Sequence, residues 1–265
     1  MSGYPRSAFI GRNCRFLQGD DRDQPERARI RESLSAQQPC TVVLRNYRAD
    51  GTLFWNELSL TPVRDDSGRV THFLGVCVDV TERLRVQEEL ARAMSHDAVT
   101  DLPRYAALEG QLLGAAAEQD GRVQRWWLLF IDLDRFHSIN ETLGDRVGDS
   151  VLRQMAHRLR EALGGFGRLS RFAGDEFVAV LPGLDEDAVA ALAESLRLAV
   201  AAPLTELGYE LRLTVSIGIS GYPAHGEAAG ELLRRAEAAM AQAKRQGRDG
   251  VCFYSPQAMQ EFEDR

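Results

Sequence analysis

Two adjacent carboxylates, Asp175 and Glu176, follow a glycine within Arg171-Phe172-Ala173-Gly174-Asp175-Glu176-Phe177, and the strand-like run Phe177 to Leu181 comes directly after. This order places both acids at the tip of a β-hairpin, free to hold a metal ion. A Gly-Asp turn and an Asp-Glu corner are ordinary surface features, so the heptad gains meaning only from partners elsewhere. Asp132 and Asp134 stand just past the apolar run Trp126 to Ile131, at the carboxyl end of a buried strand, where α/β folds place their chemistry. Asn140 and the stretch Gly144 to Asp149 follow. Lys244 and Arg248, four residues apart near a helix end, can project on one side toward an anion. Singly, Asp132 and Asp134 read as helix caps and the two bases as a solvated helix face; together they do not.

A second set lies near the start. Cys14 is flanked by Asn13 and Arg15, and Asn46 and Asn56 fall among apolar residues on strands. Either both amides bond backbone at strand ends, or they recognise the polar edge of a flat ligand.

The elements that must carry these residues change character along the chain. Residues 25 to 37 read as a short helix, and Thr41 to Tyr47, Thr52 to Val63 and Val70 to Val80 as strands. Turns at Arg48-Ala49-Asp50-Gly51 and Asp65-Asp66-Ser67-Gly68 make them an antiparallel meander. Side-chain alternation puts Val42, Leu44 and Asn46 on one face, with Phe54, Asn56, Leu58 and with Phe73, Gly75, Cys77. Asp79-Val80-Thr81-Glu82 caps a helix that runs through Ser95. Its Val80, Leu84, Ala91, Met94 and Ala98, interrupted by Gln87, read either as a modest coiled-coil seam or as one side of a solvated linker helix with no partner. Strands then alternate with long helices: the apolar run from Trp126, a helix through Leu163, a helix from Asp185 to Ala202 and a strand from Leu211 to Ile219.

The 265 residues leave room for two ordinary domains, and 44% hydrophobic with 27% charged residues describes a globular chain. A net charge of −7 disfavours nonspecific nucleic-acid or anionic-membrane binding, so phosphate contacts fall to local Lys and Arg. No apolar run approaches the ~18 residues of a membrane span, and the start has no signal-peptide core. A cytoplasmic protein is expected. Cys14, Cys40, Cys77 and Cys252 have no metal-ligand spacing and are expected as free thiols.

Gly11-Arg12-Asn13-Cys14-Arg15-Phe16-Leu17-Gln18-Gly19, with Asn46-Tyr47-Arg48 and Phe54-Trp55-Asn56, resembles the flavin-binding signature of LOV photoreceptors, a branch of the PAS fold. The resemblance implies FMN, with Cys14 forming a photochemical thioether to flavin C4a. Asn13, Gln18, Asn46 and Asn56 would contact the ring and ribityl chain, Arg15 and Arg31 the phosphate, and Phe54, Leu58, Phe73 and Cys77 the remaining pocket. Cys77 departs from the family, which has Gln there, and a thiol is a weaker hydrogen-bond partner. The family opens with two strands and a helix ahead of Gly3-Tyr4, so this sensor is expected to lack its first strands.

Residues 97 to 255 resemble a GGDEF domain, the catalytic domain of diguanylate cyclases, with a fold similar to adenylyl cyclase and polymerase palm domains. The motifs are Ile131-Asp132-Leu133-Asp134-Arg135-Phe136, Ile139-Asn140, Gly148-Asp149, Arg171 to Phe177, Ser216-Ile217-Gly218 and Ala243 to Arg248. The resemblance implies that two GTP molecules, one on each subunit of a homodimer, are joined into cyclic di-GMP. Asp132, the Leu133 carbonyl, Asp175 and Glu176 would surround Mg2+ or Mn2+, and Asp175 or Glu176 would assist deprotonation. Asn140 and Asp149 would read guanine, with Phe136, His137, Arg171, Lys244 and Arg248 also at the nucleotide. Ala173 replaces the first Gly of the signature, and His137 replaces a usual Lys. The family's allosteric Arg-x-x-Asp falls on Gly164 and Gly167, so no product inhibition is expected there. Phe253 to Arg265 resembles the linker that leads into EAL phosphodiesterase domains, which makes the chain read as a piece of a longer protein.

The expected architecture is thus α+β or α/β in two domains. A LOV/PAS sensor, an antiparallel sheet with helices, occupies residues 1–80 and a linker helix 81–98. A GGDEF domain, a cyclase-like sheet covered by helices, occupies 99–255, and a tail 256–265. The leading function is a blue-light-regulated diguanylate cyclase. Its rivals are a GTP-binding module without turnover that regulates an EAL phosphodiesterase, and a cyclase whose sensor is insensitive to light.

Overall fold

A computed structural model of the chain describes residues 1–21, 23–106, 125–206 and 209–263. They divide into two compact units, Met1–Ala91 and Arg92–Arg265.

In the first unit a helix, α1 (Glu26–Ala36), precedes a meander of β1 (Cys40–Tyr47), β2 (Leu53–Arg64) and β3 (Val70–Asp79), hydrogen-bonded in the order β1-β2-β3. The register sets Val42 opposite Leu58, Leu44 opposite Asn56 and Asn46 opposite Phe54, with Cys77 beside Leu58 on its other flank. Because side chains alternate, these residues share the face expected of them. Helix α1 and a 3-10 turn at Cys14–Gln18 pack against β1.

Helix α2 (Thr81–Ser95) starts on Asp79, whose Oδ1 accepts from Thr81 N at 3.1 Å and Thr81 Oγ1 at 2.6 Å. It stops at Ser95, so Ala98 is not on the helical seam. Asp97 ends the helical path: its Oδ1 accepts from Val99 N at 3.2 Å and Thr100 N at 2.9 Å, offering the backbone a turn instead.

The second unit rests on a five-stranded sheet of β4 (Trp126–Leu133), β5 (Arg168–Ala173), β6 (Glu176–Pro182), β9 (Val215–Tyr222) and β10 (Gly250–Phe253), in the order β10-β9-β4-β6-β5. Strands β7 (Leu204–Glu206) and β8 (Tyr209–Leu211) form a separate hairpin. The helices are α3 (Phe136–Leu143), α4 (Asp145–Leu163), α5 (Glu186–Ala201), α6 (Ala229–Arg245) and α7 (Pro256–Glu263). The strand expected over Leu211 to Ile219 is broken at 212–214, because Thr214 turns its carbonyl and its hydroxyl to Asp134.

Every residue of β4 is buried, and period-two alternation sorts them to two cores. Trp127, Leu129, Ile131 and Leu133 face α4 and α5; Trp126, Leu128 and Phe130 join Val178, Val180 and the α6 residues Leu232, Ala236 and Met240. Helix α6 lies so close to β9 that a Cβ on Gly218 would stand 2.0 Å from Ala236 O and 2.2 Å from Met240 N. Gly218→Ala is therefore expected to cost about 3 kcal/mol in urea unfolding, because backbone cannot yield. Gly230→Ala, facing open space in the first turn of α6, should lie within about 1 kcal/mol of the parent, on the stabilising side.

Candidate active site and ligand cavity

The alternation that turns Phe130 and Val178 toward α6 carries Asp132 and Glu176, opposite one another in register, onto the same face at the sheet end. Asp132 is 5% exposed. Lys244, in the last turn of α6, places Nζ 2.6 Å from Asp132 Oδ2. Asp175 occupies the hairpin turn, and its carbonyl accepts from Leu133 N at 3.3 Å. Burial pushes the Asp132 carboxyl above its ordinary range despite Lys244, and the charges of Asp175 and Asp134 push the same way. Glu176 is raised by burial first and then by Asp132 and Asp175. The site holds more carboxylate than its own cations neutralise.

That surplus fits a divalent cation. Hard oxygens of Asp132, Asp175, Glu176 and the Leu133 carbonyl suit Mg2+ or Mn2+, and the Lys244 ammonium stands where positive charge is needed. Among the described residues no three such side chains are drawn close enough to hold an ion by themselves. Mg2+ ordinarily takes one or two carboxylates and completes its shell with substrate phosphates and water.

Asp134 has a different occupation from its neighbour. Its carboxylate accepts from Thr214 Oγ1 at 2.8 Å, Ser216 Oγ at 2.8 Å and Asp249 N at 3.0 Å, making it a joint between loops. Arg248 also departs from expectation. Helix α6 ends at Arg245, and Arg248 lies beyond it with φ 65°, its N–H returning to Ala243 O at 3.1 Å, so it does not share a helix face with Lys244. Arg171, which the resemblance sets at the nucleotide, clamps the signature turn here. Its Nε and Nη2 donate to Gly174 O at 3.0 and 2.6 Å, and its Nη1 to Asp97 Oδ1 at 2.6 Å. The Asp-x-x-Thr pattern at Asp97 signals the local turn that presents this carboxylate, and nothing in the sequence signals its pairing with Arg171.

Asn140 and Asp149 come from α3 and the first turns of α4. A Cβ on Gly148 would lie 1.7 Å from Asn140 Oδ1 and 3.3 Å from Phe136 Cζ, so a glycine there lets the amide seat. Asn140 Oδ1 is buried with no hydrogen-bond partner. His137 is exposed and pairs through Nε2 with Glu141 Oε1 at 3.1 Å.

In the first unit a cavity of about 520 Å³ is lined by every flavin residue named above except Phe54. Phe54 is fully buried, with the Arg48 guanidinium 4.8 Å from its ring centre. Arg12 and Arg27 line the cavity as well, beyond the residues the sequence pointed to. Asn46 Oδ1 and Asn56 Oδ1 are buried without partners, which disposes of the backbone-bonded alternative for these oxygens. A flavin fits this donor set: its ring edge offers an N–H to orphaned acceptors, and Arg15 and Arg31 match a phosphate. No described helix is long and apolar enough to cross a membrane.

Comparison with known proteins gives two family matches, a PAS domain over residues 1–82 and "Diguanylate cyclase, GGDEF domain" over residues 94–250, more than half of the chain. The bifunctional diguanylate cyclase/cyclic di-GMP phosphodiesterase MucR of Pseudomonas aeruginosa is 36% identical over 174 residues, 66% of this chain and 25% of MucR. Rice phototropin-2 is 48% identical over 82 residues, 31% of this chain and 9% of that protein. The chain thus spans a minor part of these relatives' lengths. The solved GGDEF domain of TpbB from Pseudomonas aeruginosa superposes with a TM-score of 0.60 at 33% identity, covering 63% of this chain and 99% of that one.

The Asp97–Arg171 pair is largely buried, its side chains 15% and 11% exposed. Burial alone would raise the Asp97 carboxyl, but bonds from Arg171 and Thr100 hold it below its ordinary value. A depressed carboxyl stabilises fully above the unfolded pKa of about 4 and loses that contribution as pH falls through the folded value. Asp97→Asn should therefore cost about 3 kcal/mol at neutral pH, by stranding Arg171, and should flatten the fall of stability below pH ~4 in acid titrations followed by circular dichroism.

Proposed function

The chain belongs to the GGDEF diguanylate cyclase family and carries a PAS domain ahead of its GGDEF domain, and from that premise we propose that it is a blue-light-regulated diguanylate cyclase. Two GTP molecules, one on each subunit of a homodimer, would be joined into cyclic di-GMP. The observation that carries the reading is the buried Asp132 set opposite Glu176, with Lys244 on one of its oxygens.

Mg2+ or Mn2+, when bound, supplies charge that offsets the phosphates. Asp132, Asp175, Glu176 and the Leu133 carbonyl would hold it. Lys244, exchanged from Asp132, and Arg248 neutralise phosphate oxygens. The orphaned Asn140 Oδ1 accepts from a guanine N–H, and Asp149 accepts from the same edge. Asp175 or Glu176 would receive the proton of the attacking 3′-hydroxyl. FMN, when bound in the first unit, supplies absorption of blue light; Asn46 and Asn56 orient its ring edge, and Cys14 is the thiol in its cavity wall.

A second reading keeps GTP binding without turnover and assigns the chain a regulatory role toward an EAL phosphodiesterase. The exposed His137, paired with Glu141 where the family has lysine, favours it.

Cyclic di-GMP formation from GTP and Mg2+ in darkness and under blue light decides between them. Product that differs with light, and is lost in Asp175→Ala, is the expected outcome. GTP binding without product in either condition would instead establish the regulatory module. Light-induced bleaching of the flavin band should vanish in Cys14→Ala. Gly148→Ala should weaken GTP binding about tenfold by displacing the Asn140 amide, with the melting temperature nearly unchanged, because Asn140 Oδ1 has no protein partner to lose.

A further inference from the structure

The turn after α6 holds two consecutive non-glycine residues in the left-handed region, Arg248 at φ 65° and Asp249 at φ 47°. L-residues avoid this region because Cβ crowds the following carbonyl, so such a pair persists only where its surroundings fix it. Three bonds do so here. Arg248 N donates to Ala243 O at 3.1 Å, Asp249 N to Asp134 Oδ2 at 3.0 Å, and Nη1 of Arg197 to Asp249 Oδ1 at 2.6 Å. Arg197 projects from α5 with its side chain 19% exposed, and Glu194 holds its Nε and Nη2 at 2.9 and 2.6 Å. A planar guanidinium gripped by carboxylates on two sides has little freedom, so it braces the turn firmly.

The arrangement does more than close a loop. Asp134, one anchor of Asp249, lies two residues beyond the buried Asp132, so the turn bearing Arg248 is referenced directly to the carboxylate end of β4. Arg197 supplies the other anchor from a different element. We propose that Arg197 is a positioning residue for Arg248, acting through Asp249 to hold the arginine at a fixed offset from the carboxylates and so on the triphosphate of GTP. This rests on the reading above that Arg248 meets phosphate.

The test is a double-mutant cycle in the full chain, reading KM and kcat for GTP, equilibrium binding of α-thio GTP and melting temperature. Arg197→Met and Asp249→Asn should each raise KM and the α-thio GTP dissociation constant about tenfold with kcat changed less. Arg197→Lys, which returns a cation toward Asp249, should recover part of the loss. In an Arg248→Ala background Arg197→Met should add nothing further. Should Arg197→Met unfold the domain, Asp249→Asn carries the comparison, since Asn tolerates the left-handed conformation. Effects that multiply in the double variant, or a lower melting temperature with unchanged GTP affinity, would show that Arg197 only braces the fold. If Arg248→Ala itself leaves GTP affinity unchanged, the phosphate assignment of Arg248 fails and the positioning role with it; a normal Arg248→Ala loss with an independent Arg197→Met loss sinks the positioning role alone.

Discussion

Burying a carboxylate at the end of a fully apolar strand is the constraint from which the second unit follows. Asp132 sits at the sheet end because β4 is buried on both faces and antiparallel to both neighbours, which leaves its carboxyl end open beyond the hydrophobic layers. Period-two alternation then allows one outcome. A slip of one residue would send Asp132 into the apolar core under α4 and α5. In the observed register it meets Lys244, and it can do so only because Gly218 lets α6 lie directly on β9.

Other acids of this unit show what makes the Asp132–Glu176 pair unusual. Asp97 collects an arginine and a threonine turn, and Asp134 collects two hydroxyls and a backbone N–H. Each is saturated and works as a joint: Asp97 ties the entering chain to the signature turn, while Asp134 ties β4 to the turn before β10. Asp132 has one cation and competes with its neighbours' charges, and the half-buried Glu176 carboxylate accepts no side-chain hydrogen bond among the described residues. Saturated carboxylates organise a fold; under-compensated ones are relieved by a proton or a further cation.

Much of this was legible in the sequence. The apolar run of β4, the meander turns and the capped α2 carry strong local signals, and each element lies within a residue or two of its expected bounds. The misreadings have a common origin in tertiary bonds between distant segments. Ala98 left its helix because Asp97 caps a turn, Leu211 to Ile219 split because Thr214 serves Asp134, and Arg248 left the face of Lys244 because a left-handed turn is fixed by Asp134 and Arg197. Spacing along one element is visible in sequence; a partner 52 positions away, as between Arg197 and Asp249, is not. The same holds for Arg12 and Arg27, whose place on the cavity wall depends on how α1 and the first turns pack.

The two units share a feature that strand alternation marks at Asn46 and Asn56 and that no spacing marks at Asn140. Asn46, Asn56 and Asn140 each bury an amide oxygen without a partner, against a cost of about 1–3 kcal/mol for such a group. Native interiors leave few polar atoms in this state, and here they lie in the cavity of one unit and beside the Gly148 notch of the other. Water could satisfy such an oxygen, but a planar ligand with an N–H on its edge satisfies it while also stacking on the neighbouring apolar walls. Asn46 and Asn56 sit on paired strands and Asn140 on a short helix, so the backbone that carries each orphaned oxygen is set by the fold.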